Sequence, residues 1–166
     1  MFRAMRRKNQ QLTDKECTEI LKNATSGVLA LSGDGGYPYA VPLSYVYDGA
    51  KIYFHCAKSG HKIDAINRDA KASFCVIAQD IVVPEKYTTR YKSVIVFGKM
   101  RILEKEDEKH AAIEKLAVKY APDNTQDDIE QEVERFKSAL CMLELTPDYI
   151  SGKEAIEITK ERNQLK

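Results

Sequence analysis

The sequence predicts an α+β fold in which five or six mostly antiparallel strands curl into a barrel-like sheet with helices over its openings. Three observations carry the prediction. Two glycine turns, Gly33-Asp34-Gly35-Gly36 and Asp48-Gly49, join consecutive β-rich runs into a three-stranded meander. The helical periodicities interrupt the strands and do not alternate with them, which favours an antiparallel sheet over a doubly wound parallel one. At 166 residues and 43% hydrophobic content, the chain can bury one substantial core and is too short for two. A single domain is expected over residues 1–166.

Residues 1–11 carry Arg3, Arg6, Arg7 and Lys8 with no apolar run behind them, so they read as a flexible, solvated basic arm. Thr13-Asp14-Lys15-Glu16 is a capping box, and Cys17, Ile20, Leu21 and Ala24 follow at helical spacing. A first helix to about Thr25 follows, with Gly27 as its stop. Val28 to Ser32 is the first strand and Tyr37 to Tyr47 the second. Pro38 and Pro42 lack ladder donors, which puts part of that second strand at an edge or bulge and leaves an open rim. Lys51 to Cys56 is the third strand.

Ile63, Ala65 and Ile66 set one face of a short helix ending near Asp69, and Ala72 to Ala78 is a fourth strand. Pro84 opens a loop to Tyr91, after which Val94 to Leu103 is a fifth strand. The charged stretch from Glu104 to Lys109 starts a helix that continues through Ile113, Leu116, Ala117 and Tyr120. Another carries Ile129, Val133 and Phe136. Ala139 to Leu145 is a sixth strand closed by Pro147, and residues 160–166 read as a frayed polar end.

Charge excludes one class of partner: 26 Lys+Arg against 25 Asp+Glu leave +1, too little to neutralise a nucleic-acid backbone. No stretch of about 18 apolar residues exists to span a membrane, so a soluble, cytoplasmic protein is expected. Cys17, Cys56, Cys75 and Cys141 show no CxxC spacing, which disfavours a zinc site and fits reduced thiols. No metal site is expected. Ser44 lacks the GxSxG elbow of a hydrolase nucleophile.

The strongest local signal is Tyr53-Phe54-His55-Cys56-Ala57-Lys58-Ser59-Gly60-His61-Lys62. A glycine-containing loop at a helix start exposes unpaired N–H groups to an anion, and Lys58, His61 and Lys62 add charge and donors. An ordinary capped helix with solvated lysines is the competing reading.

The run Gly36-Tyr37-Pro38-Tyr39-Ala40-Val41-Pro42-Leu43-Ser44-Tyr45-Val46-Tyr47-Asp48-Gly49, followed by Ile52 to Ile63, resembles the 5-nitroimidazole-resistance (Nim) family. That family belongs to the pyridoxamine 5'-phosphate oxidase-like FMN-binding split barrels. The likeness continues through Tyr87-Thr88-Thr89-Arg90-Tyr91-Lys92-Ser93-Val94 and Gly152-Lys153-Glu154-Ala155-Ile156. It implies a six-stranded split β-barrel with flanking helices, working as a homodimer with FMN at the subunit interface. By position, Val41, Pro42, Leu43, Ser44 and Tyr45 run beside the flavin ring. His55, Cys56 and Ala57 lie beside the ribityl chain. Gly60, His61 and Lys62 hold the phosphate, and Ser93 contacts the flavin.

The implied activity is an FMN-dependent nitroreductase acting on small nitroaromatic substrates such as 5-nitroimidazole drugs, with His61 or His55 as proton donor or substrate contact. His55 reads equally as a half-buried strand histidine, and Tyr37, Tyr39 and Tyr47 as sheet-face residues. The alternatives are a related flavoprotein with another substrate, pyridoxamine-phosphate oxidation included, and a non-enzymatic flavin- or haem-binding protein. The chain has no Trp, and from Pro147 onward it lacks the Arg- and Trp-containing pattern of the true oxidases.

Overall fold

The computed structural model describes residues 1–136 and 140–164. The start of the expected sixth strand at Ala139 and the expected tail at 165–166 lie outside them. The elements are α1 (Asp14–Asn23), β1 (Ser26–Ser32), β2 (Pro38–Ser44), β3 (Val46–Tyr47), β4 (Ile52–Ala57), α2 (His61–Arg68), β5 (Lys71–Val83), β6 (Thr88–Ile102), α3 (Glu106–Tyr120), α4 (Gln126–Phe136), β7 (Leu140–Glu154) and α5 (Ile156–Gln164). The strands form one antiparallel sheet in the order β2-β1-β5-β6-β7-β4-β3. Its two edges, β2 and β3, are joined in the chain through Tyr45 alone. The sheet curls but does not close, as expected of a split barrel.

Seven strands replace the expected six because the second predicted strand changes partner midway. Pro38–Ser44 pairs with β1, whereas Val46–Tyr47 pairs with β4. Both glycine turns form as expected, with Gly35, Gly36 and Gly49 at positive φ, and Asp48 accepting the N–H groups of Ala50 and Lys51. The capping box forms too: Glu16 N–H donates to Thr13 Oγ1 at 3.2 Å, and Thr13 N–H to Glu16 Oε2 at 2.8 Å. Helix α1 nevertheless stops at Asn23, and Gly27 lies inside β1 and not at a helix end.

Three further boundaries move. The loop expected from Pro84 to Tyr91 is only a short turn, because β5 and β6 pair on to Val83 and Thr88. The last strand runs through Pro147 to Glu154. Pro147 sits opposite Gly98 at a bulge, where the ladder is already broken and its missing N–H costs little. A Cβ on Gly98 would collide with the Thr146 carbonyl there. Residues 160–164 complete α5, in which Arg162 pairs with Glu154 at 3.1 Å and Glu16 at 3.2 Å. The N-terminal segment also touches the sheet: Gln10 is buried and donates to the Glu154 carbonyl, and Phe2 stacks on Phe97 and Tyr149.

The barrel interior is filled by Leu29, Leu31, Val76, Val94, Leu143 and an aromatic group in which Phe74 meets Tyr45 and Phe54 edge-on at 4.8 and 5.1 Å. A second apolar cluster lies on the other face of β3, β4 and β7. Val46, Tyr53 and Met142 pack there against Ala112 and Leu116 of α3. Helix α3 is thereby seated across the gap between the sheet edges.

Candidate functional site

Tyr45 is where β2 ends and β3 begins, so neither edge ladder serves its peptide groups. The Tyr120 hydroxyl, at the end of α3, fills the gap. It accepts from Tyr45 N–H at 2.9 Å and presents its proton to the Tyr45 carbonyl at 2.8 Å and to the Thr25 carbonyl. One hydroxyl thus ties the residue leading into β1, the β2–β3 junction and α3 together. The Tyr45 side chain is fully buried, and its own hydroxyl donates to the Leu21 carbonyl at 2.8 Å. Burial pushes that phenol's pKa well above its ordinary value, with Tyr120 adding to it. Its role is therefore structural, and only its backbone belongs to the rim.

Along β2 the side chains alternate. Val41 and Leu43 pack against the core, while Pro42 and Ser44 face outward. Along β4, His55 and Ala57 are exposed, and Cys56 is half-buried against the core. Ser44 and His55 meet at a cavity of about 430 Å³ whose remaining wall is Ile113, Leu116, Ala117 and Tyr120 of α3, with Glu132 and Leu140 beyond. The size suits a small planar ligand.

Three residues beyond the end of β4, Gly60 stands at φ 120° before α2, a conformation that strains any residue with a Cβ. No side chain caps α2, which leaves its first-turn N–H groups without a side-chain acceptor. His61 stacks on Tyr39, centroids 4.1 Å apart, and its Nε2 is 3.5 Å from Asp34, which also pairs with Arg68 at 2.9 Å. Lys62 is half-buried and Lys58 exposed. The composition of this end, cationic side chains around an uncapped helix start, suits a phosphate group, opposed by the Asp34 carboxylate beside His61 and by Asp64 in the first turn of α2.

The structure brings together Val41, Pro42, Leu43, Ser44, Tyr45, His55, Cys56, Ala57, Gly60, His61 and Lys62 along two neighbouring strand ends and one helix start. It does not bring Ser93 to them. Ser93 lies on the outer face of β6, two strands from β4 and three from β2, or about 10 and 14 Å at ordinary strand spacing. The sequence reading missed the α3 wall as a site component, Tyr120 above all, and also Asp34. Ile113, Leu116, Ala117 and Tyr120 were legible as one helix face, but nothing local tied that face to Ser44 and His55.

Among the described residues, no helix is long and apolar enough to cross a membrane and no group of three or more metal-ligating side chains occurs. Residues 13–154 match a family model described as pyridoxamine 5'-phosphate oxidase. No curated protein matches the chain. Solved structures that share the fold include the following three. One is a candidate 5-nitroimidazole antibiotic resistance protein from Bacteroides thetaiotaomicron, with TM-score 0.72, 22% identity, and 87% of this chain and 86% of that one covered. Another is a FAD-binding protein from Mesorhizobium loti, with TM-score 0.60, 24% identity and 87% and 96% covered. The third is a FAD and heme binding protein from Mycobacterium smegmatis, with TM-score 0.70, 21% identity and 88% and 73% covered.

Proposed function

Because this chain belongs to the pyridoxamine 5'-phosphate oxidase family, we propose that it is an FMN-dependent reductase of nitro compounds, with 5-nitroimidazoles as substrate class, acting as a homodimer. The observation that carries this reading is the pairing, along the exposed C-terminal half of β4 and the loop that follows it, of an apolar cavity at His55 with an uncapped cationic helix start at His61. One end accommodates a phosphate and the other a ring. Among the structural neighbours, a candidate 5-nitroimidazole resistance protein and two FAD-binding proteins support the same reading.

In this reading the α2 N–H groups, His61 and Lys62 hold the phosphate, and the rim of β2 from Val41 to Tyr45 lies along the ring. Bound there, FMN supplies the electron transfer to the nitro group, while the protein supplies position and exclusion of water. His61, stacked on Tyr39 and paired with Asp34, is committed to the phosphate end. His55 opens on the cavity beside Ser44 and is the group able to pass a proton from a ring nitrogen to a nitro oxygen. The outer face around Ser93 carries Val28, Ile77, Ile95 and Phe97, all exposed. A second copy would cover that apolar face and bring its own cofactor to Ser93.

An absorbance and fluorescence scan of the purified protein, followed by anaerobic titration of its reduced form with a 5-nitroimidazole, tests the reading. Bound flavin reoxidised by the drug is the expected result. Flavin that binds and ignores the drug refutes the nitroreductase assignment, and failure to bind FMN at all refutes the cofactor.

A further inference from the structure

Cys56 in β4 and Cys141 in β7 stand directly opposite one another in the antiparallel register. Both side chains point to the same interior face, Cys141 buried and Cys56 half-buried against it, and neither is in a disulfide. The flavin reading uses Cys56 only as a wall of the site and leaves Cys141 without a role. The other two thiols differ. Cys75 has Val28 and Ile95 as ladder partners, and Cys17 packs under Gly152.

Directly opposed residues of an antiparallel pair have Cβ atoms about 4.5–5.5 Å apart. A disulfide requires about 3.5–4.5 Å. The bond is therefore reachable by a strand shift of roughly 1 Å or less, and once formed it carries strain. Strained disulfides have the higher potentials and belong to the reversible, labile class. Burial pushes the Cys56 thiol up to about 11, the neighbouring Cys141 thiol adds to that, and Lys62 acts in the opposite direction. Reaction is accordingly slow at neutral pH and accelerates as the thiolate appears.

We propose that Cys56 and Cys141 form a reversible cross-strand disulfide, a redox site at the barrel end, with a small disulfide of the glutathione type as oxidant. The Cys56 thiolate, the more accessible, attacks one sulfur of the oxidant. The oxidant's S–S bond breaks, one small thiol leaves with the electron pair, and a mixed disulfide remains on Cys56. Cys141 loses its proton to solvent and attacks the Cys56 sulfur, and the second small thiol leaves. Two S–H groups have become one S–S bond, and the oxidant has become two thiols. The bond would lock β4 to β7 immediately before the loop that leads to Gly60 and α2.

The test is incubation of the full chain with oxidised glutathione at several pH values, read by intact mass and by a peptide map without reductant. The expected product has lost two hydrogens, contains one peptide linking Cys56 to Cys141, and reverts with dithiothreitol. Its rate of formation should rise about tenfold per pH unit below the Cys56 pKa. Cys141→Ser should instead keep a glutathione adduct on Cys56. A wild-type protein that keeps such an adduct without closing the bond overturns the proposal. So do a link through Cys17 or Cys75 and thiols that stay unreacted at alkaline pH. Mass is read whether or not FMN binds, so the result does not depend on the flavin assignment.

Discussion

The exposed C-terminal half of β4 lies between two helices of opposite character, α3 against His55 and α2 beyond Ala57. Helix α2 begins with its first-turn N–H groups uncapped, cations beside them and a glycine at positive φ ahead of them. Helix α3 ends with its last hydrogen-bonding group spent, the Tyr120 hydroxyl being inserted between Tyr45 and Thr25. The first arrangement leaves polar groups for a ligand to complete. The second completes the protein's own backbone and offers a ligand only apolar volume. A site of this kind sorts its occupant by end: charge is held where the fold is unsatisfied, and a ring is accommodated where it is satisfied.

The largest effect expected from this contrast is at Lys62. Lys62→Ala removes a charge-assisted contact and should weaken FMN binding by about 1.5–3 kcal/mol, roughly 10- to 150-fold. Folding stability should change by no more than about 0.5 kcal/mol, because Lys62, though half-buried, makes no ion pair among the described residues that the substitution would break. Fluorescence titration with FMN, paired with urea unfolding of the apoprotein, measures both. Unchanged affinity would remove the distinction between the two ends.

Tyr120→Phe should show the inverse pattern. It strands the Tyr45 N–H and two carbonyls at the seam between β2 and β3, and a buried unpaired group of this kind costs about 1–3 kcal/mol. Urea unfolding should register that loss in full, while the affinity for FMN falls less than in Lys62→Ala. A variant as stable as wild type would mean that water replaces the hydroxyl at the seam and that α3 is not what holds the split.

The two ends were also unequally legible in the sequence. The loop, the glycine and the cations of the α2 end sit within ten residues, Tyr53 to Lys62, and their chemistry follows from residue type and local spacing. What escaped is what lies outside that run: Tyr39 stacked on His61, and Asp34 with its partner Arg68. The α3 end depends on a hydroxyl 75 positions from the peptide it serves, and helical periodicity reports which face is apolar without reporting what that face covers. The split itself was hidden for a related reason. Tyr45, Val46 and Tyr47 are all good strand formers, so the run from Tyr37 to Tyr47 reads as unbroken. The change of partner at Tyr45 is a tertiary event. The outer parts of β5 and β6 went unread because no core covers them: Asp80, Ile81, Val82, Glu85 and Tyr87 are exposed and the period-2 signal of a half-buried strand is missing.

The smallest effect concerns the clamp that seats α3. Asp48, in the turn after β3, accepts two backbone N–H groups and pairs with Lys115 of α3, which also lies over the Tyr53 ring at 4.6 Å. Burial alone would raise its pKa, but Lys115 and the Lys51 and Ala50 N–H groups outweigh burial and hold the carboxyl at about 2, against 3.8 for an unperturbed group. A folded-state value below the unfolded one means that the stabilisation is complete above about pH 4 and is lost as pH falls through about 2. The full difference would be worth about 2.5 kcal/mol, and with Lys115 40% exposed solvent screening reduces the expectation to about 1 kcal/mol. Asp48→Asn should therefore unfold at lower urea than wild type at pH 7, and the two midpoints should converge as the pH approaches 2. Its affinity for FMN at pH 7 should match wild type, because the clamp holds the satisfied end of the site and contributes no charge to the other. A gap in urea midpoints that persists at pH 2 would assign the stabilisation to the turn's hydrogen bonds and not to the ion pair with α3.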